Sequence, residues 1–529
     1  MKNIYKISFV ALATFSLASC NDYLKYESLG TTVTVEQKAA AVEADPSKLS
    51  ASVTAISSAF TPYGAIFGED YHSDFGYPAV MMFMDHRGTD LISLDTGYNW
   101  FSSSLLYEDV LSTSDTPRLI WGTIFNQIYA ANAVVATGDP NTEDSLLQYY
   151  LGQAYALRAF DYFTLAQLYS YTYVGHGDDL CVPIITEKNQ DKAASEGIAR
   201  STVNQTYDQI LSDINTAVKL LDATSEVRAD KRYINAAVAH ALRARIYMVM
   251  NKWSEALEDA QTALALASAE GLAPSSLAEA SRPAFKDCSE HNWMWGVVIT
   301  DKDRVSTTGI CNFASHMGSL NYGYATAGAW RLVSKKLYAS IPATDVRQGW
   351  FLDGDCLSKN LTKDELAYLS GSSAPAYTQV KFAPHDKLGT SNNANHVPLM
   401  RVEELYLMIA ECEAMSGTGN PVETLEAFVN TYRDPSFKCL SSGAKAIQDE
   451  VWQQRRIEFF GEGLSYFDLM RLKKGIDRCG HGFPATGVFV FEPESPELRF
   501  PIPHSEEQYN KLIVNNPAVA QPQPVPDKE

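Results

Sequence analysis

The chain has 529 residues, 46% of them hydrophobic and 20% charged, which is enough apolar material for a large core and argues against intrinsic disorder. Its 43 basic residues against 63 acidic ones leave a formal net charge of -20, which repels phosphate backbones and anionic lipid heads and argues against nucleic acid as a partner. Aromatics reach 11%, with 28 Tyr and 8 Trp, generous even for a large core, so some rings are expected to do something other than pack.

At the N-terminus, Lys2 and Lys6 give a short positive region and residues 7–17 an apolar run with the length of a signal-peptide core, too short for a membrane span. Leu17-Ala18-Ser19-Cys20 comes next. Small residues ahead of a cysteine look like a bacterial lipobox, in which the thiol is diacylated and becomes the new N-terminus. Residues 1–19 are therefore read as a lipoprotein signal peptide and Cys20 as the lipidation site. Several acyl chains on one residue make the attachment effectively permanent, since each buried methylene contributes roughly 0.8 kcal/mol. The bland alternative is an ordinary secretory signal with an incidental cysteine. No other stretch reaches the roughly 18 uninterrupted apolar residues of a transmembrane helix, so the mature chain is expected to be a soluble body on a tether. Seven further cysteines remain, with no Cys-x-x-Cys pair and no regular spacing, and they read mostly as buried thiols with room for one disulfide.

Helical periodicity dominates the rest of the chain. Over residues 119–137, Trp121, Phe125, Ile128, Tyr129 and Asn132 recur every three or four positions and share one face. Helices are predicted over 147–170 and 202–221. In 234–267, Ala244, Tyr247, Ala256 and Ala263 stand at the offsets of a tetratricopeptide repeat, with Asn251-Lys252-Trp253 as its turn. A similar pair runs from 401 to 417 and from 421 to 432. Two segments differ in composition: 61–111 is rich in Gly, Tyr, Asp and Ser, while 287–349 joins a strand-like Trp293-Met294-Trp295-Gly296-Val297-Val298-Ile299 to a long Gly/Ser/Tyr/Asn loop. Long loops with bulky aromatics are expected to be functional. The tail from 518 is Pro-rich and polar, hence loose.

Catalytic patterns are missing: no Gly-x-Ser-x-Gly, no His-Glu-x-x-His, no Walker loop and no dinucleotide glycine motif. His72, His86, His291 and His316 lack ligand spacing, so neither a metal nor another cofactor is expected. The many carboxylates do not single out an acid/base pair.

Four segments carry a resemblance. Residues 121–132 (Trp-Gly-Thr-Ile-Phe-Asn-Gln-Ile-Tyr-Ala-Ala-Asn), 156–163 (Ala-Leu-Arg-Ala-Phe-Asp-Tyr-Phe), 401–411 (opening Arg-Val-Glu-Glu-Leu-Tyr-Leu) and 455–471 (Arg-Arg-Ile-Glu-Phe-Phe-Gly-Glu-Gly-Leu-Ser-Tyr-Phe-Asp-Leu-Met-Arg), with Pro501-Ile502-Pro503 after them, resemble the signatures of SusD/RagB-type outer-membrane lipoproteins. Leu464-Ser465 departs from the His-Arg often found in the last block. The resemblance implies a mainly α fold, tetratricopeptide-like helix pairs with long irregular insertions and a few short strands, in one domain over 20–529 with the ligand-binding region at about 61–111 and 287–400. It also implies a function without catalysis: capture of an oligosaccharide at the cell surface and delivery to a SusC-like TonB-dependent barrel in the outer membrane. A peptide ligand, an exported tetratricopeptide adaptor and a glycan hydrolase are the competing readings. Arg455, Glu458, Asp468 and Arg471 are read as structural ion pairs.

Sugar binding without catalysis uses exposed Trp or Tyr faces against sugar C–H groups, with Asp, Asn and Arg on the hydroxyls. Two segments have this mixture, and the expected ligand residues are Arg87, Asp90, Tyr98, Asn99 and Trp100 in the first and Tyr322, Tyr324 and Trp330 in the second. Trp293 and Trp295, on a strand, are expected in the core.

Overall fold

The computed structural model describes residues 34–94 and 97–528, so the signal-peptide and Cys20 readings lie outside the described residues. The scaffold is built from α1 (Val35–Ala44), α2 (Ser50–Ser58), α3 (Tyr77–Arg87), α4 (Asp115–Val135), α5 (Ser145–Tyr169), α6 (Val203–Ala223), α7 (Ala236–Val249), α8 (Trp253–Ala269), α9 (Val402–Ser416), α10 (Pro421–Tyr432), α11 (Ala444–Glu458) and α12 (Ser465–Arg471), with shorter helices between them. Helix α5 packs between α4 and α6, α6 touches α7, α7 pairs with α8, α8 lies on α9, and α9 meets α10 and α11, so successive helices form one continuous stack. No helix among the described residues is long and apolar enough to cross a membrane.

Local chemistry explains these elements. Helix α6 opens on a capping box between Thr202 and Gln205, and α5 on the Asp144 carboxylate, which accepts from the Leu147 amide at 2.8 Å. The tetratricopeptide turn falls where its residues predict, with Asn251 at φ +57°, a left-handed conformation Asn tolerates. Ala244, Ala256 and Ala263 are fully buried, which lets α7 and α8 approach closely. Tyr129 departs from the predicted helix face: Trp121, Phe125, Ile128 and Asn132 are buried, but Tyr129 is exposed.

The strands are few. Trp293–Val297 pairs antiparallel with Val397–Arg401, and both Trp293 and Trp295 are fully buried, as expected. Leu91–Ser93 pairs with Arg331–Val333, in register Leu91↔Val333 and Ser93↔Arg331, so this ladder ties the two predicted insertions together. All seven cysteines described are free, five of them buried.

The signature residues form the joints between helices. Arg158 on α5 donates to both Asp213 oxygens on α6, at 2.8 and 2.7 Å, and to the Asn132 side-chain carbonyl on α4 at 2.7 Å. Arg455 pairs with Asp468 at 2.6 Å, and Arg471 with Glu411 at 2.6 Å. Glu458 receives Arg433 at 2.8 Å and Arg401 at 3.1 Å, while Lys381 and Arg401 both reach Glu462. Burial works against these charges, yet the arginines hold the Glu458 carboxyl far below its usual range, and burial lowers the Lys381 ammonium to about 8. Gly463, in the last signature, sits at φ +74°, and a Cβ there would lie 2.6 Å from that of Met81.

Candidate functional site

The first insertion folds around Asp74, whose carboxylate accepts from the amides of Ile66 and Phe67, both at 2.8 Å. That local turn places Phe67, Tyr71 and His72 beside the segment carrying Trp100. Phe67 and Tyr71 stack at 4.7 Å between centroids, Tyr71 meets Trp100 at 6.5 Å, and His72 stacks on Trp100 at 4.9 Å with 30° between planes. From the second insertion Tyr324 joins the arc: its hydroxyl is hydrogen-bonded to His72 Nδ1, its ring stacks on His316 at 4.7 Å, and Tyr98 lies 6.1 Å away. Its loop is held where the Gly323 backbone approaches Ser315 so closely that a Cβ would come within 2.6 Å of the Ser315 Cα. Burial, aided by the Arg331 charge, pushes the His316 and His86 imidazoles well below their ordinary 6.5, so both are neutral beneath the arc.

Beside the arc opens a cleft of about 480 Å³. Phe67, Tyr71 and Trp100 supply its aromatic wall, and Ser102, Ser103, Glu108 and residues 113–116 its polar one. Asn99 lines it too. That residue is 6% exposed, its side-chain carbonyl accepts from the Phe101 amide at 3.2 Å, and its amide nitrogen has no partner among the described residues. A buried donor left unused at a cleft wall is matched to an incoming acceptor. The cleft also meets the start of α4, whose N-cap Ser114 makes no side-chain cap, leaving the first-turn amides of Asp115 and Thr116 uncapped, while Pro117 has no N–H to cap.

Three expected ligand residues need correction. Arg87 is fully buried, ion-paired to Asp109, bonded to the Tyr466 hydroxyl at 3.2 Å and packed 4.3 Å over Phe500, so it is committed to the scaffold and not to a ligand. Asp90 is 4% exposed; burial alone would raise its pKa, but Arg456 at 3.0 Å and the Ser465 hydroxyl at 3.0 Å hold it below the ordinary value. Trp330 is 4% exposed and packs with Ile92, Leu105 and Leu352 in a second hydrophobic cluster, pinning its loop. The other five divide. Trp100 and Asn99 line the cleft, Tyr98 extends the arc at 50% exposure, and Tyr324 supports it from a largely buried position. Tyr322 is 58% exposed and stands outside the cleft lining. Phe67, Tyr71 and His72 escape sequence reasoning; their signal is the run of aromatics after Gly64 and Gly68 in a segment of unusual composition.

The cavity between α5, α7, α9 and α12 is a different matter. It holds about 50 Å³ among Arg245, Glu404, Arg455 and Asp468, charges already paired with one another, and is too small for anything beyond a water or two.

Comparison with known proteins matches residues 83–248 to a family described as "Starch-binding associating with outer membrane" and residues 369–518 to the SusD family. The chain belongs to the SusD family. Curated relatives include SusD-like protein P2 of Formosa agariphila, 25% identical over 75% of this chain and 79% of its own length, and SusD-like protein P38 of the same organism, 22% identical over 73% and 78%. A SusD-like carbohydrate-binding protein from Bacteroides vulgatus superposes with a TM-score of 0.71 at 20% identity, covering 91% of this chain and 98% of its own. A laminarin-binding SusD-like protein does so at 0.61 and 18%, covering 89% and 99%. These likenesses give the tetratricopeptide-like helical fold. The matched family description is of starch-binding proteins associated with the outer membrane, and two of the structural relatives carry binding names of their own.

Proposed function

We propose that this SusD-family protein captures an oligosaccharide at the cell surface and delivers it to a SusC-like TonB-dependent outer-membrane transporter. The observation that carries the reading is the run of rings from Phe67 through Tyr71, Trp100, His72 and Tyr324 to Tyr98, set beside a cleft rich in hydroxyls and amides. Aromatic faces meet the C–H side of a sugar ring, and polar groups around them bond its hydroxyls. The laminarin-binding name of one structural relative and the starch-binding description of the matched family support a glycan over a peptide. The ligand residues proposed are Asn99, Trp100 and Tyr98, with Tyr324 and His72 as supports. Cys20 is proposed as the lipid anchor, and residues 20–529 as one domain whose binding region comes from the two insertions.

The test has two arms. A glycan and peptide array probed with residues 21–529 is expected to retain oligosaccharides. Purification of the native protein in mild detergent is expected to bring down a large β-barrel receptor. Shortened glycan products would point to hydrolysis, peptide-only retention would favour the peptide reading, and a strictly solitary protein would contradict the delivery role.

A further inference from the structure

The charge pattern of the cleft points to a narrower ligand class. Resting on the glycan-binding reading above, we infer that the cleft selects uncharged glycans and rejects those carrying carboxylate or sulfate groups. Its polar wall holds two carboxylates, Glu108 and Asp115, both exposed, and among the described residues no Lys, Arg or His lines it. Asp115 lies against the Tyr71 hydroxyl, whose pKa it raises by disfavouring the phenolate, so this carboxylate stands at the aromatic wall where a bound sugar would lie. Arg118, on the same helix, sits 4.7 Å over the Phe67 ring and opposes Asp115 at the Tyr71 hydroxyl with the smaller effect, and it is not among the residues lining the cleft.

The open amides at the start of α4 would by themselves attract an anion. Asp115, in the first turn of that helix, offsets this attraction with a full negative charge. An anionic sugar would therefore meet two like charges and no lining counter-charge, on a chain whose formal net charge is already -20. A neutral sugar meets the complementary set. Its hydroxyl protons find the Glu108 and Asp115 carboxylates and the Ser102 and Ser103 hydroxyls, and one hydroxyl oxygen can take the unused Asn99 amide proton.

The experiment uses backbone-matched pairs: laminarin with sulfated laminarin, and starch with carboxymethyl starch. Affinity for residues 21–529 is measured by calorimetry at low and high salt. Within any pair that binds, the neutral member is expected to bind at least about tenfold more tightly at low salt, with the gap narrowing as salt screens the carboxylates. In the Glu108→Gln, Asp115→Asn double variant the ratio should move toward one, with its melting transition checking the fold. Equal or tighter binding of the charged member overturns the inference and leaves glycan binding standing, as does a ratio unchanged in the double variant. If neither pair nor any glycan on the array is retained, the glycan-binding reading fails and the inference with it.

Discussion

Trp100 and Trp330 show how differently one side-chain type can be used. Both come from aromatic, glycine-containing loops, and the sequence around each looks much the same. Trp100 keeps a face on the cleft, while Trp330 is enclosed by Ile92, Leu105 and Leu352. Replacing Trp100 with Ala is expected to weaken glycan binding by at least roughly 1 kcal/mol, the low end for a lost stacking contact, with a smaller loss of stability than Trp330→Ala. Trp330→Ala should instead cost about 3–5 kcal/mol of stability, the range for emptying a large aromatic site. Calorimetric titration and denaturant melts of the two variants separate these effects, and a Trp100 variant that loses stability but keeps affinity would refute the assignment. Arg87 and Asp90 teach the complementary lesson. Polar residues beside aromatics read as ligand groups until the fold brings Asp109 to one and Arg456, 366 positions away, to the other. No local pattern announces such a partner.

Asp161 gives a second test at this scale. It lies on α5, fully buried, with neither carboxylate oxygen bonded among the described residues, and burial raises its pKa well above the ordinary 3.8. The folded state therefore holds this proton more tightly than the unfolded chain. The associated stability is fully present below the unfolded pKa and is lost as pH rises through the higher folded one. Asp161→Asn has no such proton and is expected to flatten the decline of stability with pH above about 4. Melting curves of both proteins from pH 4 to 8 check this, and parallel slopes would contradict it.

At the scale of elements, the helices are the most legible part of the sequence. Predicted spans of 147–170, 202–221 and 421–432 correspond to Ser145–Tyr169, Val203–Ala223 and Pro421–Tyr432, because an amphipathic face repeats locally and needs no distant information. The cleft is less legible. Its location in the first insertion follows from composition, but its far wall at 113–116 is the run into α4 and its first two residues, where helical periodicity hides a second use. The signature blocks read as structural in the sequence, and the fold makes them the joints of the scaffold. Glu458 is the clearest case, since Arg433, Arg401 and Arg347 converge on it. Glu458→Gln should cost about 3–5 kcal/mol, the range for breaking a buried pair and leaving its partner uncompensated. Chemical denaturation measures this directly, and a loss below about 1 kcal/mol would mean the arginines find other partners.

For the whole molecule, the central prediction concerns attachment. Cys20→Ala is expected to abolish incorporation of labelled fatty acid and to move the protein from the membrane fraction to the soluble one. Label persisting on the variant would disprove the lipobox reading. Release without loss of glycan affinity would further separate the tether from the binding body.

The burial of Arg87 has a consequence for how the molecule can be made. This residue closes α3, shortly before the cleft segment that carries Asn99 and Trp100, yet its partners include the Tyr466 hydroxyl, the Glu497 carbonyl and the Phe500 ring. Arg478 likewise donates to the carbonyls of His86 and Gly88 from about 390 positions downstream. The neighbourhood of the cleft is thus fastened by residues synthesised 379 to 410 positions later. Contacts of such sequence separation are slow to form, because the loops they close are long and most of the chain must be ordered first. A nascent chain can assemble its central helices early but cannot lock this end of the molecule until these distant partners have been made, so binding competence should arrive as a late step of folding.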